Sequence, residues 1–262
     1  MKLVPGTLQE GGASFNTTHW TLILRAGHRR RDAGSVLAED SAASESAREA
    51  ALSAFCEAYW PPLYSFLRHR RFSSADAQDL VQAFFVHLIE HNTLGSSDRE
   101  KGRLRTFLLG SLENFLINEH DRARALKRGG GYQIVPFGEF LPETEASILA
   151  TSHLDDVTSY DVTWASNVVT RAWRQLREEC AAEGKAEWFD ALKPFLSGGA
   201  SALPNQEESA ARMGVPIATL RTWIARLRQR YRAALRAEVA GTVSDRADVE
   251  DELKYLYRIL TA

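Results

Sequence analysis

The chain has little cysteine and no long apolar run, and each shortage argues against a class of protein. Its 262 residues include two cysteines, Cys56 and Cys180, which form no Cys-x-x-Cys pair. Neither a disulfide framework nor a thiolate zinc site is indicated, so we expect two small core residues. No apolar run approaches the ~20 residues of a membrane-spanning helix, and the N-terminus lacks the apolar core of a signal peptide. We therefore expect a cytoplasmic protein without membrane insertion.

Motifs of catalysis are also scarce. The sequence contains no phosphate-cradling Gly-Lys-Ser/Thr loop and no Gly-x-Ser-x-Gly nucleophile elbow. His87-Leu-Ile-Glu-His91 does match the His-x-x-Glu-His pattern of inverted zinc peptidases, in which two imidazoles share a helix face and the glutamate acts as base. A zinc hydrolase built on His87, Glu90 and His91 is therefore an alternative. However, Leu88 and Ile89 continue a core-facing pattern and no third-ligand helix follows, so we predict a protein that is not an enzyme and holds no metal or cofactor.

The net charge of −2 hides changes of sign along the chain. Residues 99–128 hold eight basic and four acidic side chains, whereas residues 139–161 hold six acidic and no Lys or Arg side chains. Residues 212–236 then hold seven arginines and no acidic residue. Because basic stripes attract phosphate, this pattern predicts two DNA-facing modules joined by an acidic linker that avoids the duplex.

The second basic stretch has the pattern of a helix, a turn and a second helix. Asn205 can cap the first helix, Gly214 permits a backbone reversal, and Pro216 suits the start of a second helix that runs to about Arg236. Apolar residues recur along this second helix at helical spacing, namely Leu220, Ile224, Leu227 and Tyr231. This arrangement with its arginines favours a nucleic-acid-binding module over a solvated basic helix.

In such a module, the first turns of the second helix face base edges in the major groove. The base-facing candidates are Ile217, Thr219, Arg221 and Thr222. The later arginines suit phosphates, and these candidates are Arg226, Arg228 and Arg230. Trp223 is either a further DNA contact or a core residue, since large aromatic side chains in helices are usually buried.

The N-terminal half carries its own helical patterns, while strand signals are scarce throughout. One helix is expected to resume at Ala47, and Pro61-Pro62 should kink it or open a new one. An amphipathic helix follows from about Ala75 to His91, with Asp76, Asp79 and Gln82 on its polar face. We therefore predict an all-α fold with an N-terminal extension (1–46), a first domain (47–131), an acidic linker (132–161), a helix-turn-helix domain (162–240) and a helical tail (241–262).

The helix-turn-helix segment resembles region 4 of bacterial RNA polymerase sigma factors, particularly the extracytoplasmic-function (ECF) type. The residues in register with that family's signature are Glu208, Ala210, Met213, Gly214, Thr219, Leu220, Arg221, Thr222, Ile224 and Arg226. Four positions depart from the signature, namely Ser209, Pro216, Ala218 and Trp223. The resemblance implies that this domain reads the promoter −35 element.

The first domain is similar to region 2 of the same family. Residues 76–88 look like the polymerase-docking motif, which implies that Asp76, Asp79 and Gln82 contact the clamp helices of RNA polymerase core. Residues 104–114 look like the segment that follows, with Phe107 where the family has tryptophan. The family opens the −10 element with the loop 92–102 and the helix 112–128, which gives as candidates Arg103, Arg105, Asn114, Asn118, Arg122 and Arg124.

The resemblance thus implies a two-domain sigma factor that binds RNA polymerase core and promoter DNA. Residues 15–27, residues 184–196 and the tail also look like those of a divergent, planctomycete-like subgroup of ECF factors. We expect these additions to pack on the domains or to bind a regulator, for which an anti-sigma or kinase-type protein is the candidate. A free-standing helix-turn-helix DNA-binding regulator is the alternative among DNA-binding proteins.

Overall fold

The computed structural model describes residues 38–91, 103–125, 141–196, 203–243 and 245–261. Within these ranges the regular structure is helical, and an isolated antiparallel bridge joins Arg103 to Val243. The all-α prediction is therefore confirmed. The α-helices are α1 (Ala38–His69), α2 (Ser74–Glu90), α3 (Leu104–Ala125), α4 (Leu141–Ala150), α5 (Asp156–Ala182), α6 (Ala186–Leu192), α7 (Gln206–Arg212), α8 (Ile217–Ala240) and α9 (Val249–Thr261).

Some predicted features lie outside the described residues. These are most of the N-terminal extension, the loop 92–102 and the glycines 129–131. α1 begins at Ala38, earlier than the predicted start at Ala47. None of the described helices combines the length and the apolarity that crossing a bilayer requires.

α1 continues through Pro61 and Pro62 instead of ending there. Proline lacks an N–H, so the carbonyls of Glu57 and Ala58, four residues earlier, lose their donors within the helix. Asn167 of α5 replaces both donors, because its Nδ2 lies 3.3 Å from the Glu57 oxygen and 2.6 Å from the Ala58 oxygen. The sequence predicted a kink or a new helix here, and the helix stays continuous because a distant side chain satisfies its freed carbonyls.

The larger hydrophobic core lies between α1, α2 and α3 and is completed by later parts of the chain. Trp60 of α1 and Phe84 of α2 are fully buried within it. Trp164 of α5, Val239 of α8 and Leu256 of α9 belong to the same cluster. The first helices therefore share their core with residues from the far end of the sequence.

A second, smaller core lies between the C-terminal half of α5 and helices α6, α7 and α8. Its buried members include Leu176, Phe189, Ala210 and Leu220. α5 begins in the first core and ends in the second, and α8 begins in the second core and ends in the first. A helix of 27 residues such as α5 spans about 40 Å. Two continuous helices, not a loop, thus connect the two cores.

The acidic segment that was expected to be a linker is packed against the first bundle over its described residues. Glu145 of α4 accepts hydrogen bonds from Tyr64 and from Arg68, whose Nε lies 3.1 Å away. Asp156, at the start of α5, lies 2.5 Å from Nε of Arg70. These carboxylates neutralise arginines of α1 and the turn after it, so the segment contributes contacts of its own.

The helix-turn-helix geometry is present at α7 and α8. Asn205 caps α7, since its Oδ1 accepts from the N–H groups of Glu207 (2.8 Å) and Glu208 (3.3 Å). Gly214 has a φ of +66° in the turn, and Pro216 is the N-cap of α8. The predicted turn chemistry is confirmed, and α8 continues past the predicted end at Arg236 to Ala240.

Both cysteines are shielded from solvent. Cys180 is fully buried in the second core, and Cys56 packs against the first. Burial, reinforced by the nearby Glu57, raises the pKa of the Cys56 thiol to about 12. Burial also raises the pKa of Cys180. Cys180 is therefore a core residue, as the sequence predicted, and Cys56 is partly buried at the edge of the first core.

Replacing Asn167 with alanine should lower the free energy of unfolding by about 2 kcal/mol, because two buried carbonyls would lose their donor. Chemical denaturation measures this change, with Ser166→Ala, an exposed site on the same helix, as the control. In a Pro61→Ala/Pro62→Ala background the helix recovers its own N–H donors, and the same substitution should cost less than about 1 kcal/mol. Equal costs in the two backgrounds would show that Asn167 does not act through the prolines.

Replacing Gly214 with alanine should destabilise the protein by about 1–2 kcal/mol, the usual cost of a left-handed backbone for a residue with a Cβ. A Cβ at this position would meet no atom within 4 Å, so the cost is conformational and not steric. Gly214→Asn should cost less, since asparagine tolerates this conformation. Gly110→Ala, inside α3 and equally uncrowded, is the control and should stabilise by up to about 1 kcal/mol. Thermal unfolding that ranks alanine and asparagine equally at 214 would contradict this explanation.

Candidate nucleic-acid interface

α8 presents arginines along one flank of its buried residues. Arg221, Arg228 and Arg232 are exposed, and their spacing of seven and four residues places them on one side of the helix. We call these three the arginine face. Leu220, Ile224 and Leu227 point instead into the second core. Among the described residues, no carboxylate forms an ion pair with the arginine face, so its positive charge is open to an external anion.

Hydrogen bonds hold two members of the arginine face in place. Arg221 Nε donates to Oε1 of Gln206 at 3.1 Å, across the turn between α7 and α8. Arg228 donates to the Phe195 carbonyl from Nε (3.3 Å) and from Nη2 (3.1 Å). These partners are neutral, so they orient the guanidinium groups without cancelling their charge. Neither Gln206 nor Phe195 was among the residues predicted from sequence, because their role depends on the fold.

The other predicted phosphate contacts lie elsewhere on α8. Arg226 is exposed but lies on a different side of the helix from the arginine face. Arg230 Nη2 lies 3.3 Å from Glu179 and 2.9 Å from Glu183 on and just beyond α5. Arg230 therefore holds α8 against α5 in this conformation, unlike its exposed neighbour Arg232.

The predicted base-facing residues differ in exposure. Thr222 is exposed, and its hydroxyl donates to the Ala218 carbonyl at 2.9 Å. Ile217 and Thr219 are half-buried, and Ile217 packs against the second core. Trp223 is also half-buried, with its ring centroid 6.0 Å from that of Trp188 in a T-shaped pair. Trp223 thus packs at the edge of the second core and retains some exposed surface.

The polar face of α2 carries the residues predicted to dock on a protein partner. Ser73 caps the helix, with its Oγ accepting from Asp76 N–H (3.1 Å) and donating to Asp76 Oδ2 (2.6 Å). Asp79 is exposed and forms no ion pair with any described residue, and Gln82 is half-buried. Spacings of three residues put Asp76, Asp79 and Gln82 on one side, opposite the buried Phe84. We call these three the acidic face of α2.

α3 separates the residues predicted to contact the −10 element into two groups. Asn114 and Asn118 are exposed and one helical turn apart. Arg122 and Arg124 lie in the last turns of α3, and their side chains are outside the described ones. Arg103 and Arg105 lie at the opposite end of the helix. The structure therefore brings Asn114 and Asn118 together, but it places Arg103 and Arg105 away from them.

Arg105 is buried and ion-paired within the protein, with 7 % of its surface exposed. Its Nε donates to Glu252 of α9 at 2.7 Å, and its Nη1 donates to Asp161 of α5 at 2.8 Å. Arg103 Nε lies 2.8 Å from the other oxygen of Glu252. Burial alone would lower the pKa of Arg105, but Glu252 and Asp161 raise it. In this conformation Arg105 does not reach solvent, contrary to its predicted place on a DNA surface.

The zinc alternative gains no support from the geometry. The His87 and His91 rings lie 4.3 Å apart, and His87 also packs 5.3 Å from the ring of Phe115. The side chain of Glu90 lies outside the described ones. In the part of the chain that the structure describes, no group of three or more His, Cys, Asp or Glu residues could hold a metal ion.

Comparison with known families gives a match over part of the chain. Residues 55–126 match the model of sigma-70 region 2. No curated protein and no solved structure matches the chain. The matched residues comprise the second half of α1, all of α2 and α3, and therefore both the acidic face of α2 and the exposed asparagines of α3. Sigma-70 region 2 is found in non-enzymatic factors that act with RNA polymerase core and promoter DNA. The match therefore supports a sigma-70 family factor with a role in transcription initiation.

Proposed function

We propose that the protein is a sigma factor of the ECF type that docks on RNA polymerase core through α2 and directs the enzyme to promoters. In this proposal α3 contacts the −10 element and α8 reads the −35 element. The observation that carries the proposal is the region 2 match, because it falls on the bundle that exposes the acidic face of α2. The arginine face of α8 supplies a second surface of opposite charge.

The acidic face of α2 suits a basic protein surface. Asp79 is unpaired among the described residues and sits at the centre of this face. A carboxylate in that position gains a partner on docking and sacrifices no existing ion pair. Opposite charges across an interface accelerate association and fix its register. The clamp helices of polymerase core are the proposed partner.

The arginine face of α8 suits the phosphates on either side of a DNA groove. Arg221 and Thr222 lie in the first turns of α8, where a recognition helix meets base edges. Arg228 and Arg232 follow about two and three turns after Arg221 and are suited to the backbone. Pro216, Ala218 and Trp223 occupy positions where the ECF signature has other residues, so the preferred −35 sequence should differ from that of typical members.

The exposed asparagines of α3 suit the bases of a separated strand. Side-chain amides both donate and accept hydrogen bonds, and they can therefore bind the edges of unpaired bases. Ile117, which is also exposed, lies between Asn114 and Asn118 in sequence. An apolar side chain at that position can contact the face of an unstacked base. Arg122 and Arg124 extend the same helix toward the strand's phosphates.

Reversing the charge of Asp79 should weaken binding to polymerase core at least about tenfold, since a buried like-charge contact costs more than 1.4 kcal/mol. Asp79→Lys is compared with Glu178→Lys, which reverses an exposed acid on α5, away from α2. The affinity is measured by fluorescence anisotropy with purified core, and run-off transcription is scored on promoter DNA selected with the wild-type holoenzyme.

Equal affinities for the two variants would remove α2 from the docking surface. A wild-type protein that shifts promoter DNA by itself, but neither co-elutes with core nor supports initiation, would overturn the sigma-factor proposal. That result would favour the free-standing helix-turn-helix regulator.

Arg232→Ala should weaken DNA binding for all sequences alike and reduce the slope of log K against log salt by about one unit, because one phosphate contact is lost. Arg230→Ala is the matched control, since it removes the same charge two residues away from a side chain that faces Glu179 and Glu183. It should leave the slope nearly unchanged. Both slopes are measured by titration with duplex DNA over a range of salt concentrations, and equal changes would contradict the assignment of the arginine face.

A further inference from the structure

The C-terminal helix α9 buries a carboxylate against the two arginines that precede and begin α3. Glu252 is completely buried, and its two oxygens face Arg105 (2.7 Å) and Arg103 (2.8 Å). The Arg103 N–H is not aligned for a hydrogen bond with its oxygen, so that contact is an ion pair alone. A buried carboxylate requires such pairing, because its desolvation is otherwise unfavourable. The pairing therefore ties α9 to the start of α3.

Further contacts hold α9 at the same place. The Arg105 guanidinium lies 3.9 Å from the ring centre of Tyr255, and the Tyr255 hydroxyl donates to Asp161 at 2.6 Å. On the backbone, Leu104 N–H donates to the Thr242 carbonyl at 3.1 Å, in the segment between α8 and α9. We call this set of contacts between α9 and the start of α3 the α9 latch.

The α9 latch places a carboxylate where the proposed function calls for a phosphate. Arginine binds carboxylate and phosphate with the same planar donor geometry. The first turn of α9 is acidic, with Glu250, Asp251 and Glu252 in succession. Without Glu252, Arg103 would have no ion pair among the described residues, whereas Arg105 would keep its ion pair with Asp161 at 2.8 Å. Glu252 thus occupies the arginines as an internal substitute for a nucleic-acid phosphate.

We propose that α9 is an autoinhibitory helix, and that Glu252 must leave Arg103 and Arg105 before the −10 strand can bind there. This inference rests on the proposed function, since it assigns the phosphate to promoter DNA. In the closed form Glu252 neutralises the positive charge at the start of α3. In the open form Arg103 is released to the displaced strand, and Arg105 keeps Asp161 as its remaining ion-pair partner.

The first test removes the competing charge. Glu252→Gln keeps the size of the side chain, and Asp251→Asn, an exposed site on the same helix, is the matched control. With a mixed-sequence single-stranded DNA oligonucleotide as the probe, Glu252→Gln should bind about tenfold more tightly than wild type. Its salt slope should be steeper by about 0.7 units, which is one phosphate, since Arg105 keeps its ion pair with Asp161. A folded Glu252→Gln protein that binds with wild-type affinity and slope would overturn the proposal.

The second test holds the α9 latch closed with a disulfide. It tests the autoinhibition proposal even if the Glu252→Gln variant does not fold. The bond from Leu104 N–H to Thr242 makes Arg103 and Val243 a non-hydrogen-bonded antiparallel pair, the pair in which side chains approach most closely. An Arg103→Cys/Val243→Cys variant can therefore form a disulfide. The native thiols are shielded, with the pKa of Cys56 raised to about 12. The oxidised variant should bind the DNA strand more weakly and initiate less than its own reduced form, which also lacks the Arg103 contact, and reductant should restore the level of the reduced form.

Both redox forms of this variant lack Arg103, so any difference between them comes from the disulfide and not from the loss of the arginine. Equal activity of the oxidised and reduced forms, in a wild-type protein that initiates with core, would overturn the latch and leave the sigma-factor proposal intact. Tighter strand binding by Glu252→Gln, without core binding or initiation by any form, would support the latch and overturn the sigma-factor proposal.

Discussion

The contact between α1 and α5 is the interaction on which the rest of the structure depends. α1 needs it because two prolines leave carbonyls without donors in the middle of a buried helix. Asn167 supplies those donors, and Arg171, one turn later, donates to the Ala54 carbonyl at 3.1 Å while its Nε binds Glu238 of α8 at 2.9 Å. A single face of α5 therefore fixes α1 on one side and α8 on the other.

This arrangement determines how the two candidate binding surfaces are related. α5 and α8 each contribute to both hydrophobic cores, so the first bundle and the helix-turn-helix are joined by packed helices. The same packing brings α9 onto the start of α3, where Glu252 meets Arg105. Movement of α9 away from that site, as the proposed autoinhibition requires, has to break a buried ion pair.

The sequence was most informative where a function depends on local spacing. The acidic face of α2 follows from helical periodicity, and the cap at Asn205 and the turn at Gly214 follow from backbone chemistry. The three arginines predicted to contact phosphates, Arg226, Arg228 and Arg230, lie on different sides of α8. The sequence was least informative for Arg105, because its partner Glu252 is 147 residues away. Nothing in the local pattern distinguishes an arginine that faces DNA from one that closes a buried ion pair. The same holds for Arg230 and Arg232, which are two residues apart. Arg230 pairs with Glu179 and Glu183, whereas Arg232 is exposed.

The sequence by itself determined the helical class, the region 2 resemblance that residues 55–126 confirm, and the turn between α7 and α8. These features are encoded within one or two turns of helix, where hydrophobic period and capping residues act. Only the tertiary structure decided that Pro61 and Pro62 leave α1 unbroken, that the acidic segment is packed, and that Arg105 is buried. Each of these depends on a partner more than 50 residues away in the chain, and long-range pairing leaves no periodic signal in a single sequence.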